Sequence, residues 1–281
     1  MRTTRLAATF GALVMAFAMT ACGGSGKADS GGGSSGIIGK KTLTIGVKAD
    51  QPGLGLQTGS TYSGFDIEIA KIVAKGLGVP ESGITWKTTV SANREPYIQQ
   101  GQVDLVVATY TINDDRKKVV DFAGPYYVAG QDLLVPANST ITGPDALAGK
   151  KVCSVTGSTP AKRIKTTYTT AKLQEFDSYS KCVTALAGGQ VDAVTTDDII
   201  LAGYASQEQY AGKFKVVGKP FSTEPYGIGL KKSDTAGCTK VNDILKASVT
   251  DGSYKKAWDD TLGKSGKPAP ELDVSKLTNC A

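Results

Sequence analysis

Short, β-branched apolar runs alternate along this chain with stretches whose apolar positions recur every three or four residues. Leu43, Ile45 and Val47 mark a strand over 41–47, and Ile84 to Thr89 a second. Val103 and Leu105–Val107 form a run that reads as a strand buried on both faces, as in a helix-covered parallel sheet. Between the first two, Phe65, Ile69, Ile72, Val73 and Leu77 fall on one face of a helix, which Gly76 and Gly78 bring to a stop. A further helix opens at Asn93-Arg94-Glu-Pro and runs to Gln100. Strand, helix, strand, helix predicts an α/β fold with parallel pairing.

The stretch Gly101–Arg116 carries the densest chemistry. Thr109 and Thr111 follow the buried strand, and Asn113 is a good helix N-cap with Asp114 and Asp115 in the first turn and Arg116 behind them. Open α/β sheets place ligands at the carboxyl ends of their strands. Backbone N–H groups, two hydroxyls and a guanidinium converging there would suit an anion, most simply a carboxylate gripped by Arg116. A second stretch, Gly189–Asp198, repeats the Gly-Gln-Val-Asp start and the β-branched run but ends in acid, with Asp197 where the first copy has hydroxyls. One strand end offers donors and the other a carboxylate, so a zwitterion fits between them. The simpler alternative is that Thr111 and Asp197 only cap strand and helix ends.

The middle of the chain continues the pattern. Asp132–Val135 and Lys151–Val155 read as strands. Thr159 with Pro160 behind it predicts a helix start whose free N–H groups could take a carboxylate. Lys215–Val217 reads as a last strand, followed by helices over 239–250 and 253–262 and an irregular tail with Pro268, Pro270 and Cys280.

The ends of the chain change the picture. Arg2 and Arg5 precede an apolar stretch from Leu6 to Met19, too short to span a bilayer with ease. Small residues then lead to Cys22. Residues 1–21 are therefore expected to be a leader, and the run before Cys22 resembles the lipobox of bacterial lipoproteins, so Cys22 is expected to carry lipid. An ordinary signal peptide with an incidental Cys22 is the alternative. Residues 22–40, rich in Gly and Ser, are expected to be a tether reaching about 20–25 Å from a membrane. The formal charge of +6 falls to +4 without the leader, with no dense basic tract, so nucleic acid is not indicated. Four further cysteines in an exported chain suggest disulfides. Three pairings are possible; Cys153–Cys182 and Cys238–Cys280 are favoured because each lies within one chain segment and closes a moderate loop. The sequence has no histidine, which excludes Ser-His-Asp and Cys-His catalysis and any His-containing metal site. No phosphate loop appears, and Gly53, Gly55 and Gly59 are too irregular for a dinucleotide fingerprint. No cofactor and no metal are expected.

The run Gly64-Phe-Asp-Ile-Glu-Ile, followed by Val73-Ala74, and the run from Ala108 to Tyr127 together resemble the bacterial extracellular solute-binding proteins of family 3, the amino-acid receptors of ABC importers. The likeness covers residues 41 to about 262. It implies a two-lobed fold of the periplasmic-binding-protein type, with two chain crossings and the ligand in the cleft. The expected division is 41–130 and 224–281 for lobe 1 and 131–223 for lobe 2. It further implies no enzyme activity, an ABC permease and ATPase complex as partner, an extracytoplasmic, lipid-anchored location and a monomer. By the same resemblance Arg116 holds the ligand's α-carboxylate, helped by Thr111 and the helix start at Ser158 and Thr159. Asp197 holds the α-ammonium, helped by Thr109, and Asp50 positions the binding residues.

Two further cations bear on the ligand. Arg94 stands at the positive end of a helix, where a guanidinium is electrostatically misplaced unless an anion compensates it. A surface salt bridge to Glu95 or Asp104 is the alternative. Lys48 leaves the first strand two residues before Asp50. Together they match a second carboxylate, so the expected ligand is L-glutamate, with L-aspartate next and glutamine the runner-up. The segment after Asp50, Gln51–Leu56, lacks the aromatic residue that family members often carry there, which disfavours large aromatic or guanidinium ligands. A cyclohexadienyl dehydratase of the same fold, and a sensory lipoprotein without an importer, are the competing readings.

Overall fold

The computed structural model describes residues 36–265, 269–277 and 280. The expected leader, Cys22 and most of the expected tether lie outside the described residues. Among the described residues no helix is long and apolar enough to cross a membrane.

The chain builds two five-stranded sheets. The first contains β1 (Leu43–Val47), β5 (Ile84–Thr88), β6 (Leu105–Val107), β7 (Val120–Ala129) and β13 (Glu224–Lys231), in the order β5-β1-β6-β13-β7. The apolar runs read as strands pair here in parallel, Ile45 beside Leu105 and Val47 beside Val107. All three residues of β6 are buried, as expected for a strand covered on both faces. Helix α1 (Phe65–Gly76) buries Phe65, Ile67, Ile69, Ala70 and Val73, whereas Ile72 and Leu77 are only half-buried. Its stop is as expected: Leu77 N–H returns to Val73 and Ala74, and Gly78 takes φ +81°. Helices α2 (Arg94–Gln99), α3 (Asp114–Lys117), α7 (Thr235–Thr250) and α8 (Ser253–Asp260) complete this lobe.

The second sheet has the order β10-β9-β11-β8-β12, from β8 (Gln131–Pro136), β9 (Lys151–Val155), β10 (Lys172–Phe176), β11 (Ala193–Asp197) and β12 (Phe214–Val216). Helices α4 (Thr159–Thr167), α5 (Tyr179–Ala187) and α6 (Asp198–Ala205) pack on it. Neither sheet is all-parallel. The chain leaves the first lobe through β7 and returns through β13, and these neighbours run antiparallel, with Glu224 beside Ala129. In the second sheet β8 pairs antiparallel with both β11 and β12. The crossings at 129–131 and 222–224 are stitched together: Phe221 N–H donates to Gln131 O at 2.9 Å, and Gln131 N–H to Ser222 Oγ at 3.0 Å.

The turn-rich run after Asp50 is a small antiparallel sheet of β2 (Asp50–Gln51), β3 (Gly55–Thr58) and β4 (Thr61–Ser63). Gly64, at φ +118°, lets the backbone turn against Leu54 so that Phe65 N–H reaches Gly53 O at 2.9 Å and Asp66 N–H reaches Leu54 O at 3.0 Å. Cys153 is bonded to Cys182, beneath α5, and Cys238 to Cys280, which ties the tail to α7.

Candidate functional site

The carboxyl ends of β1, β6, β9 and β11 face one another across the two lobes. Between them lies a small, closely packed cavity lined by Ser91, Arg94, Thr109, Thr111, Ser158, Thr159, Pro160, Tyr179, Asp197 and Ile200. Six of these, Arg94, Thr109, Thr111, Ser158, Thr159 and Asp197, are among the residues the sequence singled out.

Asp197 ends β11 and precedes α6. It is 3% exposed, and Tyr226 OH donates to its Oδ2 at 2.6 Å. Its Oδ1 is buried without a hydrogen-bond partner. Burial, and next the Glu224 carboxylate, push its carboxyl up to about 7, against the Tyr226 hydrogen bond. A buried carboxylate oxygen with nothing to accept from is a strong demand for a donor, best met by a cation.

Arg94 is buried and not a surface arginine: Glu95 pairs instead with Arg116 at 2.8 Å, and Asp104 with Lys40 at 2.5 Å. Arg94 donates to the carbonyls of Ser91 (3.3 Å), Ala108 (3.1 Å), Thr109 (3.0 Å) and, across the cleft, Gly157 (3.4 Å). All are neutral acceptors. Burial, then the neighbouring Arg116, push its guanidinium down to about 10.

Arg116 sits behind the Asn113 cap, whose Oδ1 accepts its N–H at 3.0 Å. Its side chain does not line the Asp197 cavity. Nε meets Glu95, Nη1 donates to Thr111 O at 2.7 Å, and Nη2 to Gly157 O at 3.0 Å. It lines a neighbouring cavity of about 340 Å³ at the cleft edge, where Lys162 pairs across the lobes with Asp115 at 2.5 Å. Lys48 and Asp50 also lie outside the Asp197 cavity and line another of about 90 Å³ that shares Tyr179 with it. Lys48 Nζ donates to Ser91 Oγ at 2.8 Å, so it backs the wall that Ser91 forms. Burial, then Arg94, hold its ammonium well below the ordinary lysine range.

The expected convergence of free N–H groups after β6 is corrected at Thr109. Its N–H is taken by Asp66 Oδ2 at 2.8 Å, and its φ of +44° turns its hydroxyl to Gln51 Oε1 at 3.2 Å. Asp66, whose carboxyl burial pushes up to about 6, also accepts from Tyr126 OH at 2.8 Å. The helix cap at α4 is Ser158, not Thr159: Ser158 Oγ accepts Ala161 N–H at 3.1 Å, and Pro160 falls at the second helical position. The reason is that Thr159 turns its hydroxyl to the buried Glu224 at 2.7 Å, 3.3 Å from that of Thr111.

Asp50 reaches from the first lobe to the second. Ser180 N–H, in the first turn of α5, donates to its Oδ2 at 3.1 Å, and Tyr204 OH bonds to its carbonyl and its carboxylate. The cap residue of α5, Ser178, makes no side-chain cap bond, so Asp50 does that work from across the cleft. Sequence reasoning missed Ser91, Tyr179, Glu224 and Tyr226. The Ser178 cap followed by Tyr179, Cys182, Val183 and Leu186 was an available helix signal; nothing in the spacing pointed to Glu224 or Tyr226.

Facing strand ends on two lobes joined by paired crossings frame a cleft for a small molecule, the architecture of a cleft-binding receptor. The chain belongs to the bacterial extracellular solute-binding proteins, family 3, whose sequence profile matches residues 43–263. It is 42% identical over 281 residues to glutamate-binding protein GluB of Corynebacterium efficiens, covering 95% of this chain and 94% of that one. It is 39% identical over 259 residues to the ABC transporter glutamine-binding protein GlnH of Bacillus subtilis, covering 88% and 94%. An ancestral arginine-binding protein bound to glutamine superposes with TM-score 0.74 at 37% identity, over 80% of this chain and 99% of that one. The protein is thus an extracytoplasmic amino-acid-binding receptor of ABC importers and not an enzyme, which sets the dehydratase reading aside.

Proposed function

We propose that the protein captures an acidic amino acid, L-glutamate first and L-aspartate next, for an ABC permease and ATPase complex, as a monomer held to the membrane by lipid on Cys22. The observation that carries the amino-acid site is Asp197 Oδ1, buried and unpartnered in a cavity whose opposite wall carries a guanidinium. The α-ammonium binds Asp197. The α-carboxylate meets the Thr111 and Thr159 hydroxyls, the start of α4 and Arg116, where it competes with the Gly157 carbonyl. The side-chain carboxylate is held by Arg94, with Ser91 and Lys48 behind it. Residues 41–130 and 224–281 form the lobe that contributes Arg94, and residues 131–223 the lobe that contributes Asp197; closure brings them together.

The acidic preference is supported by the charge of this wall and by the likeness to GluB. The likeness to GlnH makes glutamine the reading to beat. Titration calorimetry of the mature domain with glutamate, aspartate and glutamine decides between them. Glutamate should bind more tightly than glutamine, and Arg94→Ala should weaken glutamate by about 3–5 kcal/mol, glutamine much less. Equal affinity for the two in the wild type, or equal losses in Arg94→Ala, would refute the assignment.

A further inference from the structure

Tyr110 does not line the cavity, yet its ring lies beneath both guanidinium groups of the site. The Cζ atoms of Arg94 and Arg116 stand 4.5 Å and 4.9 Å from the ring centroid. The ring is fully buried and fixed by Phe122, edge-on at 4.7 Å between centroids. The two cations are near enough to share one acceptor, the Gly157 carbonyl. Side by side and out of water, they repel. Glu95 neutralises Arg116, while every acceptor of Arg94 is a carbonyl. A second acid beside Arg94 would relieve the repulsion but cancel the positive charge that an anionic ligand group needs. An aromatic face attracts cations through its quadrupole and carries no net charge.

We propose that Tyr110 is a positioning residue that sets specificity: its ring holds the two guanidiniums together while leaving their net positive charge for a ligand with a second carboxylate. This rests on the acidic-ligand reading above. The ring does the holding, so Tyr110→Phe should keep the wild-type ratio of glutamate to glutamine affinity, whereas Tyr110→Leu should lower that ratio about tenfold or more. Tyr110→Met, with a flexible side chain that fills irregular gaps, serves the same purpose if the leucine variant does not fold. Melting curves identify the folded variants, and calorimetry with both ligands gives the ratios. A wild-type ratio in the folded aliphatic variant overturns the proposal, as does a collapsed ratio in Tyr110→Phe. A wild type without preference for glutamate overturns the acidic-ligand reading and this inference with it, before any substitution is made.

Discussion

Lowering the pH from 8 to 6 should weaken amino-acid binding about tenfold, because of Asp197. Its carboxyl is pushed up to about 7, first by burial, then by Glu224, with Asp198 adding to the effect and Tyr226 and Arg94 opposing it. Tyr179, which also faces it, has its own hydroxyl pushed up to about 12, first by burial and then by Asp197. A ligand ammonium needs the ionised carboxylate. If only that form binds, the apparent dissociation constant rises about elevenfold at pH 6 and about 1.1-fold at pH 8. The ligand's own carboxyl groups, with ordinary values of about 4 or lower, do not titrate in this window. Calorimetry in two buffers of different ionisation enthalpy should register release of about 0.9 proton per ligand at pH 6 and about 0.1 at pH 8.

The free protein should respond in the opposite sense. A carboxyl whose folded value lies above its ordinary one favours folding when protonated, and that contribution is lost as pH rises through the folded value. Asp66, pushed up to about 6 by burial, acts in the same direction. Ligand-free melting temperatures should therefore gain from these two groups as pH falls from 8 to 6, while the extra stabilisation given by ligand shrinks. Asp197→Asn should bind weakly and with a flat pH profile. Equal wild-type affinities at pH 6 and 8, with no proton released, would refute the argument.

Asp50→Ala removes a cap on α5 that comes from the other lobe, so it should weaken glutamate, aspartate and glutamine by one common factor of about five- to tenfold; a change in their relative order would place Asp50 in direct contact with ligand instead. Cys22→Ser should move the protein from the membrane fraction to the medium or leave it unprocessed, and unchanged fractionation and migration would disprove lipidation.

Much of the first lobe was legible because local signals and tertiary packing agree there. Leu105–Val107 is apolar on both faces and lies inside the sheet; Asn113 reads as a cap and caps. Arg94 was legible as an anomaly, a cation at a helix start, and the anomaly marks the cavity. The second lobe was read less well. Strand β10 buries its residues only partly, so its apolar pattern is weak. Helix α6 is apolar on most of its surface, with Ile199, Ile200, Leu201 and Tyr204 buried, and gives little periodicity to read. The left-handed turn at Thr109 leaves no trace in composition. Glu224 and Tyr226 reach the site from the returning strand, far along the chain from Thr159 and Asp197, and only the crossing brings them near.

What a ligand adds to this arrangement follows from which groups are already matched. Asp50 with Ser180 and Tyr204, and Asp115 with Lys162, join the lobes through contacts that need no third party. They favour closure equally for every ligand and so cannot discriminate. The poorly matched groups are different ones: Asp197 Oδ1 lacks a donor, and across the cleft both guanidiniums meet the dipole of one Gly157 carbonyl. A ligand shifts a two-state equilibrium only by its differential affinity for the two states. In the proposed mode, an ammonium on Asp197 and a carboxylate on the arginines would satisfy groups from opposite lobes at once, which an open state cannot offer. On that reading, the groups left poorly matched by closure are the ones through which ligand identity would be read.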